Sequence, residues 1–140
     1  MSERKNLGYI RWESFGNLEA KNQVSVKQLS VEVRGVNPII DLSLQAEAIY
    51  LFADVGADFR LSGTAAYLSI FMMGYSRTDA ASLQAQAVLV NHQSYNSIRV
   101  SAIKILEATI QNTGSLFYKS LPATTKNIAI QSSGKAIPIP

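Results

Sequence analysis

The chain has 140 residues, of which 47% are hydrophobic and only 16% charged, and it carries a net charge of +3 at pH 7. That length suits one domain with a real core, while a surface rich in Ser, Thr, Asn and Gln is poorly guarded against self-association. With no cysteine and one histidine, disulfides, zinc ribbons, iron–sulfur centres, thiolate nucleophiles, lipid anchors on cysteine and two-histidine metal sites within one chain are excluded.

The polar start Met1–Asn6 carries Arg4 and Lys5 and leads into no apolar run, so no signal peptide is expected. Ser2 stands where myristoylation needs glycine. The longest apolar stretch, Ala65 to Tyr75, is broken by Ser69 and Gly74. It falls short of the roughly 20 residues of a transmembrane helix. These features predict a soluble protein of a reducing compartment. Charge divides along the chain. Residues 1–79 hold eight Lys/Arg and nine Asp/Glu, whereas residues 80–140 hold five Lys/Arg and one acid, Glu107. Such a split suits attraction between copies or a basic face toward phosphates.

In chain order, Tyr9 to Phe15, with Trp12, is a first strand candidate. Val24 to Val33 alternates apolar and polar residues, with a change of phase near Lys27–Gln28 that predicts a β-bulge. Gly35 and Asn37–Pro38 end it. Asp41 then stands as an N-cap before Leu44, Ala48, Leu51, Phe52 and Val55, which share a helical face, so a helix is predicted over about 42–55 with Gly56 as its stop. Thr64 to Arg77 reads as a strand apolar on both faces, with a short buried helix as the alternative. Ser82 to Val90 alternates and reads as a strand. Ile98 to Gln111 fits either period, and its β-branched residues favour strand. Leu116 to Leu121 and Asn127 to Gln131 are short strands. No internal repeat is evident. The predicted fold is therefore α+β: a mostly antiparallel sheet with one amphipathic helix packed on it. It spans one domain, residues 7–130, between a polar tail (1–6) and an extended Pro-containing segment (131–140).

No motif for phosphate, dinucleotide, zinc, calcium or nucleophilic-serine chemistry is present. His92 falls at a predicted strand end, as a turn residue able to titrate near neutrality. Glu47 and Asp54 share a helical face with nothing apolar between them to desolvate either carboxylate. No cofactor and no enzymatic activity are expected. An enzyme would need a site assembled from scattered Ser, Tyr, Asp and His92. Aromatic–basic clusters (Tyr9, Arg11, Trp12 and Phe15; Phe117, Tyr118 and Lys119) suit stacking of single-stranded nucleic acid beside its phosphates. Phe59-Arg60-Leu61 falls in a predicted loop, where Phe59 and Leu61 either tuck under the helix end or touch a membrane surface or a partner. The candidate membrane or nucleic-acid contacts are thus Arg4, Lys5, Arg11, Phe59, Arg60, Lys104, Lys119 and Lys126.

The succession of a bulged strand (Val24 to Arg34), a Pro-containing break, a helix, an aromatic-rich stretch ending in glycine (Tyr67 to Gly74) and a small-residue loop resembles the globular domain of rhabdovirus-type matrix proteins. The resemblance covers most of residues 24–111. It implies a non-enzymatic, self-associating structural protein that organises viral ribonucleoprotein and lies peripherally against an anionic envelope, in host cytoplasm and virion. It also implies docking between copies through Thr78, Asp79, Ala80, Ala81, Ser82 and Leu83. The basic arm is short here, and the budding motifs are missing. The alternative is a small single-stranded nucleic-acid-binding module.

Overall fold

The computed structural model describes residues 5–12, 18–19, 23–34 and 36–140. Among them there is no helix. Ten strands follow one another: β1 (Lys5–Trp12), β2 (Leu18–Glu19), β3 (Val24–Val33), β4 (Val36–Ala53), β5 (Gly56–Gly74), β6 (Arg77–Ser94), β7 (Ile98–Ile110), β8 (Leu116–Ser120), β9 (Thr125–Ile130) and β10 (Ala136–Pro138). Every pairing between them is parallel.

The register explains how so many parallel strands connect without crossover helices. Leu44 pairs with Gly63 and Gly63 with Leu83, steps of 19 and 20 residues. The chain therefore winds as a parallel β-solenoid, each coil lying on the one before. The long strands β4 to β7 turn a corner, and each contributes to two flanks. On the first flank, β2 pairs with the beginning of β4, and β8 with the beginning of β7. On the second, β3 pairs with the end of β4, and β9 with the end of β7. The Pro-containing segment adds the last rung, β10 beside β8.

Side chains alternate across each flank, and the inward ones stack in columns. On the first flank, Ile40, Phe59, Thr78, Ile98 and Leu116 lie in one column, all almost fully buried. On the second, Leu29, Ile49, Leu68, Val88 and Leu106 form a column, and Val31, Leu51, Ile70, Val90 and Ala108 form the next. Burial of each large aliphatic contributes about 1.5–3 kcal/mol. No coil can bury its apolar face alone, so stacking is what makes the fold.

Two corners depend on glycine. Gly63 has φ +114°, and a Cβ there would meet the Leu44 carbonyl oxygen at 1.8 Å. Gly74 has φ +63°, and a Cβ there would meet the Val55 oxygen at 2.3 Å. L side chains rarely adopt such φ, and the coil below leaves no room for one.

The α+β expectation is thus corrected to all-β, and the antiparallel sheet to a parallel one. The segment expected as a helix over 42–55 is strand through Ala53. Its buried residues are Leu42, Leu44, Ile49, Leu51 and Ala53, while Tyr50 faces outward at 39% exposure. The helical pattern arose because both surfaces of this strand carry apolar side chains, so two periods fit one sequence. Asp41 is no N-cap; it sits outward in the strand, paired with Arg60. The burial pattern of β3 changes phase as read, with Val26 buried, Lys27 exposed and alternation resuming at Leu29, but the register with β4 runs unshifted from Val26–Ala46 to Gln28–Ala48, so the predicted β-bulge is not there.

Candidate recognition site

The stacking that builds the core also lines up the outside. Along one corner, Val55, Tyr75 and Tyr95 follow at coil spacing. Tyr75 N–H donates to the Val55 oxygen (2.7 Å) and Tyr95 N–H to the Gly74 oxygen (2.8 Å). These bonds set the two phenol rings 5.2 Å apart and nearly parallel, at 29°, a stacked geometry typical of favourable aromatic pairs. They remain 69% and 56% exposed.

Buried hydroxyls brace the corner from inside. Ser76 Oγ accepts from Ala57 N–H (3.3 Å), and Ser94 Oγ donates to the Ser76 carbonyl (2.5 Å) while accepting from Asn96 N–H (2.9 Å). Asn96 Nδ2 donates to the Tyr75 oxygen (3.4 Å), and its Oδ1 accepts from Ser97 N–H (2.9 Å). Each bond satisfies a polar group that the turn would otherwise strand.

Beside Tyr75 lies a pocket of about 290 Å³, lined by Ile39, Gly56, Ala57, Asp58, Tyr75, Arg77 and Asn96. Asp58 and Arg77 are register partners on adjacent coils. Asp58 Oδ2 accepts from Arg60 Nη2 at 3.1 Å, whereas its Oδ1 is buried with no hydrogen-bond partner. An unpartnered carboxylate oxygen out of water is costly. Next to it is a second depression of about 190 Å³, lined by Asp41, Arg60, Leu61, Ser62, Asp79 and Ser82. The outward positions Asp41, Arg60, Asp79 and Arg99 form a ladder of alternating charge. It ends at Phe117, whose ring lies 5.1 Å from the Arg99 guanidinium.

The second flank carries aromatic ladders: Tyr50 with Tyr67 (5.7 Å) and Phe52 with Phe71 (5.3 Å, edge to face). Arg34 lies over Phe52 at 4.9 Å and pairs with Glu32 and Asp54. A groove of about 580 Å³ runs past the other corner, with Lys27, Gln45, Glu47, Thr64 and Gln86 around a floor of small residues, Ala46 and Ala65 among them.

His92 does not belong to this surface. It occupies an inward column between Met72 and Ile110 and is fully buried. Its Nδ1 accepts from Ser94 N–H (3.3 Å), so Nε2 carries the proton and donates to the Ser115 oxygen (3.1 Å). Burial lowers its pKa below the usual 6.5, and backbone hydrogen bonds at Ser115 and Asn96 oppose that. The imidazole is neutral at neutral pH, a structural strut rather than a titrating turn residue.

The residues singled out from sequence disperse over the solenoid. Arg4 lies outside the described residues, and Lys5 and Arg11 lie on β1. Phe59, expected on a contact loop, is wholly buried in the first-flank column, so it cannot touch a membrane or nucleic acid. Arg60 is exposed beside Asp58 in the charge ladder. Lys104 and Lys126 are exposed and Lys119 half-buried. In the expected docking loop, Thr78, Ala80 and Leu83 are buried; Asp79 and Ala81 are half-buried, and Ser82 is exposed. The structure brings together Asp58, Tyr75, Arg77 and Tyr95, none of which composition or local spacing singled out. The signal that could have found them is the coil period, which separates Tyr75 from Tyr95 by 20 residues and Asp58 from Arg77 by 19.

The stacked corner and the charged ladder define a class: a parallel β-solenoid whose regular exterior offers repeated side chains for contact. The chain belongs to the family described as "Putative auto-transporter adhesin, head GIN domain", whose model matches residues 3–122. It is similar to the crystal structure of a "putative adhesin" from Bacteroides fragilis NCTC 9343, with a TM-score of 0.89 and 24% identity over 94% of this chain and 60% of that one. It is also similar to a "Putative lipid binding protein" from Parabacteroides distasonis ATCC 8503, with a TM-score of 0.75 and 21% identity over 95% of this chain and 56% of that one. At these identities the likeness establishes the fold. The chain spans just over half the length of each. No match is found among curated proteins.

Family and fold overturn the viral matrix resemblance, and with it the structural role around ribonucleoprotein and the placement in host cytoplasm and virion. The single-stranded nucleic-acid module finds no support either: neither the family nor the solved structures it resembles point to nucleic acid.

Proposed function

We propose that this chain is a non-catalytic adhesive domain that works at a bacterial surface, recognising its target through the outside of the solenoid. The observation that carries this reading is the separation of roles between inward and outward columns. The inward columns hold the apolar core and His92, with both ring nitrogens committed to backbone partners. The outward columns present an exposed tyrosine stack and an alternating charge ladder. A rigid backbone that repeats one side chain per coil holds its contacts preorganised, which lowers the entropic cost of binding. The family description and the Bacteroides fragilis neighbour support the same reading.

The test is retention of beads coated with the purified chain on epithelial cell layers, bacterial envelope polysaccharide and lipid vesicles. Saturable retention on at least one surface, competed by free chain, is expected. Beads that are retained no better than uncoated ones on all three would refute the proposal.

A further inference from the structure

We infer that the corner formed by Tyr75, Tyr95, Asp58 and Arg77 binds a pyranose ring of a carbohydrate. This deepens the adhesive reading and rests on it. A sugar ring has an apolar C–H face and a rim of hydroxyls, each both donor and acceptor. The corner offers the complement of both. The exposed Tyr75 ring supplies a flat, amphipathic platform, and the stacked Tyr95 extends it by one coil. Within the same pocket, Asp58 contributes a carboxylate that is 26% exposed and held by Arg60; its buried Oδ1 lies out of a ligand's reach, so the sugar meets the outer side of the group. Arg77, its register partner on the next coil, contributes a forked donor. A carboxylate and a guanidinium side by side match two neighbouring hydroxyls, one donating and one accepting.

The same chemistry disfavours other ligands. A free anion drawn to Arg77 would meet the Asp58 carboxylate. An acyl chain would meet a charged wall where it needs an apolar one. At about 290 Å³ the pocket is at the small end of ligand sites, so it holds one ring. The neighbouring depression, with Asp41, Arg60, Asp79 and Ser62, gives a second ring a further set of donors and acceptors. The corner is rigid before the ligand arrives, because Gly74, Ser76, Ser94 and Asn96 fix it through backbone and hydroxyl hydrogen bonds. A shallow site for one or two rings binds weakly, and several copies on one surface raise the overall avidity.

The test combines an array of bacterial polysaccharides and glycoprotein-type glycans with ligand-observed NMR on methyl pyranosides. It uses the intact chain and the variants Tyr75→Ala, Tyr95→Ala and Arg77→Ala. All three side chains are exposed, so the variants keep the fold, and Tyr50→Ala on the other flank serves as control. Binding to at least one saccharide is expected. It should fall at least tenfold in Tyr75→Ala and Arg77→Ala, fall in Tyr95→Ala for glycans of two or more rings, and stay within twofold in Tyr50→Ala. The two array arms identify whether the sugar comes from a bacterial envelope or a glycoprotein. Absence of saccharide binding, binding unchanged in Tyr75→Ala, or vesicle binding that Tyr75→Ala abolishes without any sugar affinity overturns the inference. Bead retention on cells that persists in excess sugar and in Tyr75→Ala overturns it while leaving the adhesive reading intact; no retention of the unmutated chain on any surface, without competitor, overturns both.

Discussion

Replacing Ile49 by alanine separates the solenoid from a helix packed on a sheet. In a helix built on Leu44, Ala48, Leu51, Phe52 and Val55, Ile49 is off the buried face and its truncation is cheap. In the solenoid it is fully buried between Leu29 and Leu68 of the adjacent coils. Ile→Ala at core positions costs about 2–5 kcal/mol, rising with the cavity left behind. Here the coils above and below are held at the ~4.8 Å strand spacing by ladder hydrogen bonds, so the gap cannot close by backbone movement. The expected loss lies in the upper part of that range, about 3–4 kcal/mol. Urea unfolding followed by circular dichroism reads it as a lower midpoint at unchanged slope. Ile49→Ala costing under 1 kcal/mol would refute the stacking argument.

Gly63→Ala should cost about 3 kcal/mol or more, because a Cβ meets the Leu44 carbonyl at 1.8 Å and φ is +114°; thermal melting that matches wild type would contradict this. Stability should also fall in acid through His92. Its folded pKa is depressed, so between that value and 6.5 the unfolded chain binds more protons. The contribution is complete above pH 6.5 and is lost as pH falls below it. Urea midpoints of wild type and His92→Gln at several pH values should therefore converge as the solution is acidified; a constant difference would be the contrary result. Gly114→Ala should disturb the backbone around the same imidazole as well as the ring, because a Cβ there meets the Asn96 and Ser94 carbonyl oxygens at 2.0 and 2.6 Å and His92 Cε1 at 2.7 Å. The His92 ring resonances should then shift, and unchanged resonances would count against the packing.

Much of the strand content was legible in the sequence, and the architecture was not. Alternation located β3 and β6 because each buries one side and wets the other. The segment 42–55 misled because the exterior of β4 bears Tyr50 and Phe52, partly covered by Tyr67 and Phe71 of the next coil. That cover is invisible before the coils are stacked. The repeat was legible but missed. Leu44-Gln45-Ala46-Glu47-Ala48 and Leu83-Gln84-Ala85-Gln86-Ala87 match at four of five positions, 39 residues apart. Leu44 and Leu83 lie two coils apart in one column, each paired with Gly63. Most coils keep only the burial pattern, since any aliphatic fills an inward position, so identity fades while the period persists. The site was hidden for the same reason. Asp58 and Arg77, or Tyr75 and Tyr95, become neighbours only when the coil length is known. His92 escaped because a histidine near a strand end gives no sign that Ser94 and Ser115 will satisfy both its nitrogens inside the core.

Every surface feature proposed rests on residues one coil apart being neighbours, and the absence of native cysteine allows that to be measured directly. Ser43 and Ser62 are outward register partners on adjacent coils, and Ser82 is the partner of Ser62 one coil further. Adjacent partners fall within the ~4.4–6.8 Å Cα separation of a disulfide, while residues two coils apart lie beyond its ~7 Å limit. Under mild oxidation, Ser43→Cys/Ser62→Cys should lose both free thiols as a monomer, and Ser43→Cys/Ser82→Cys should keep them. Free thiols in the first pair, or an intramolecular crosslink in the second, would contradict the parallel solenoid and the recognition corner built on it.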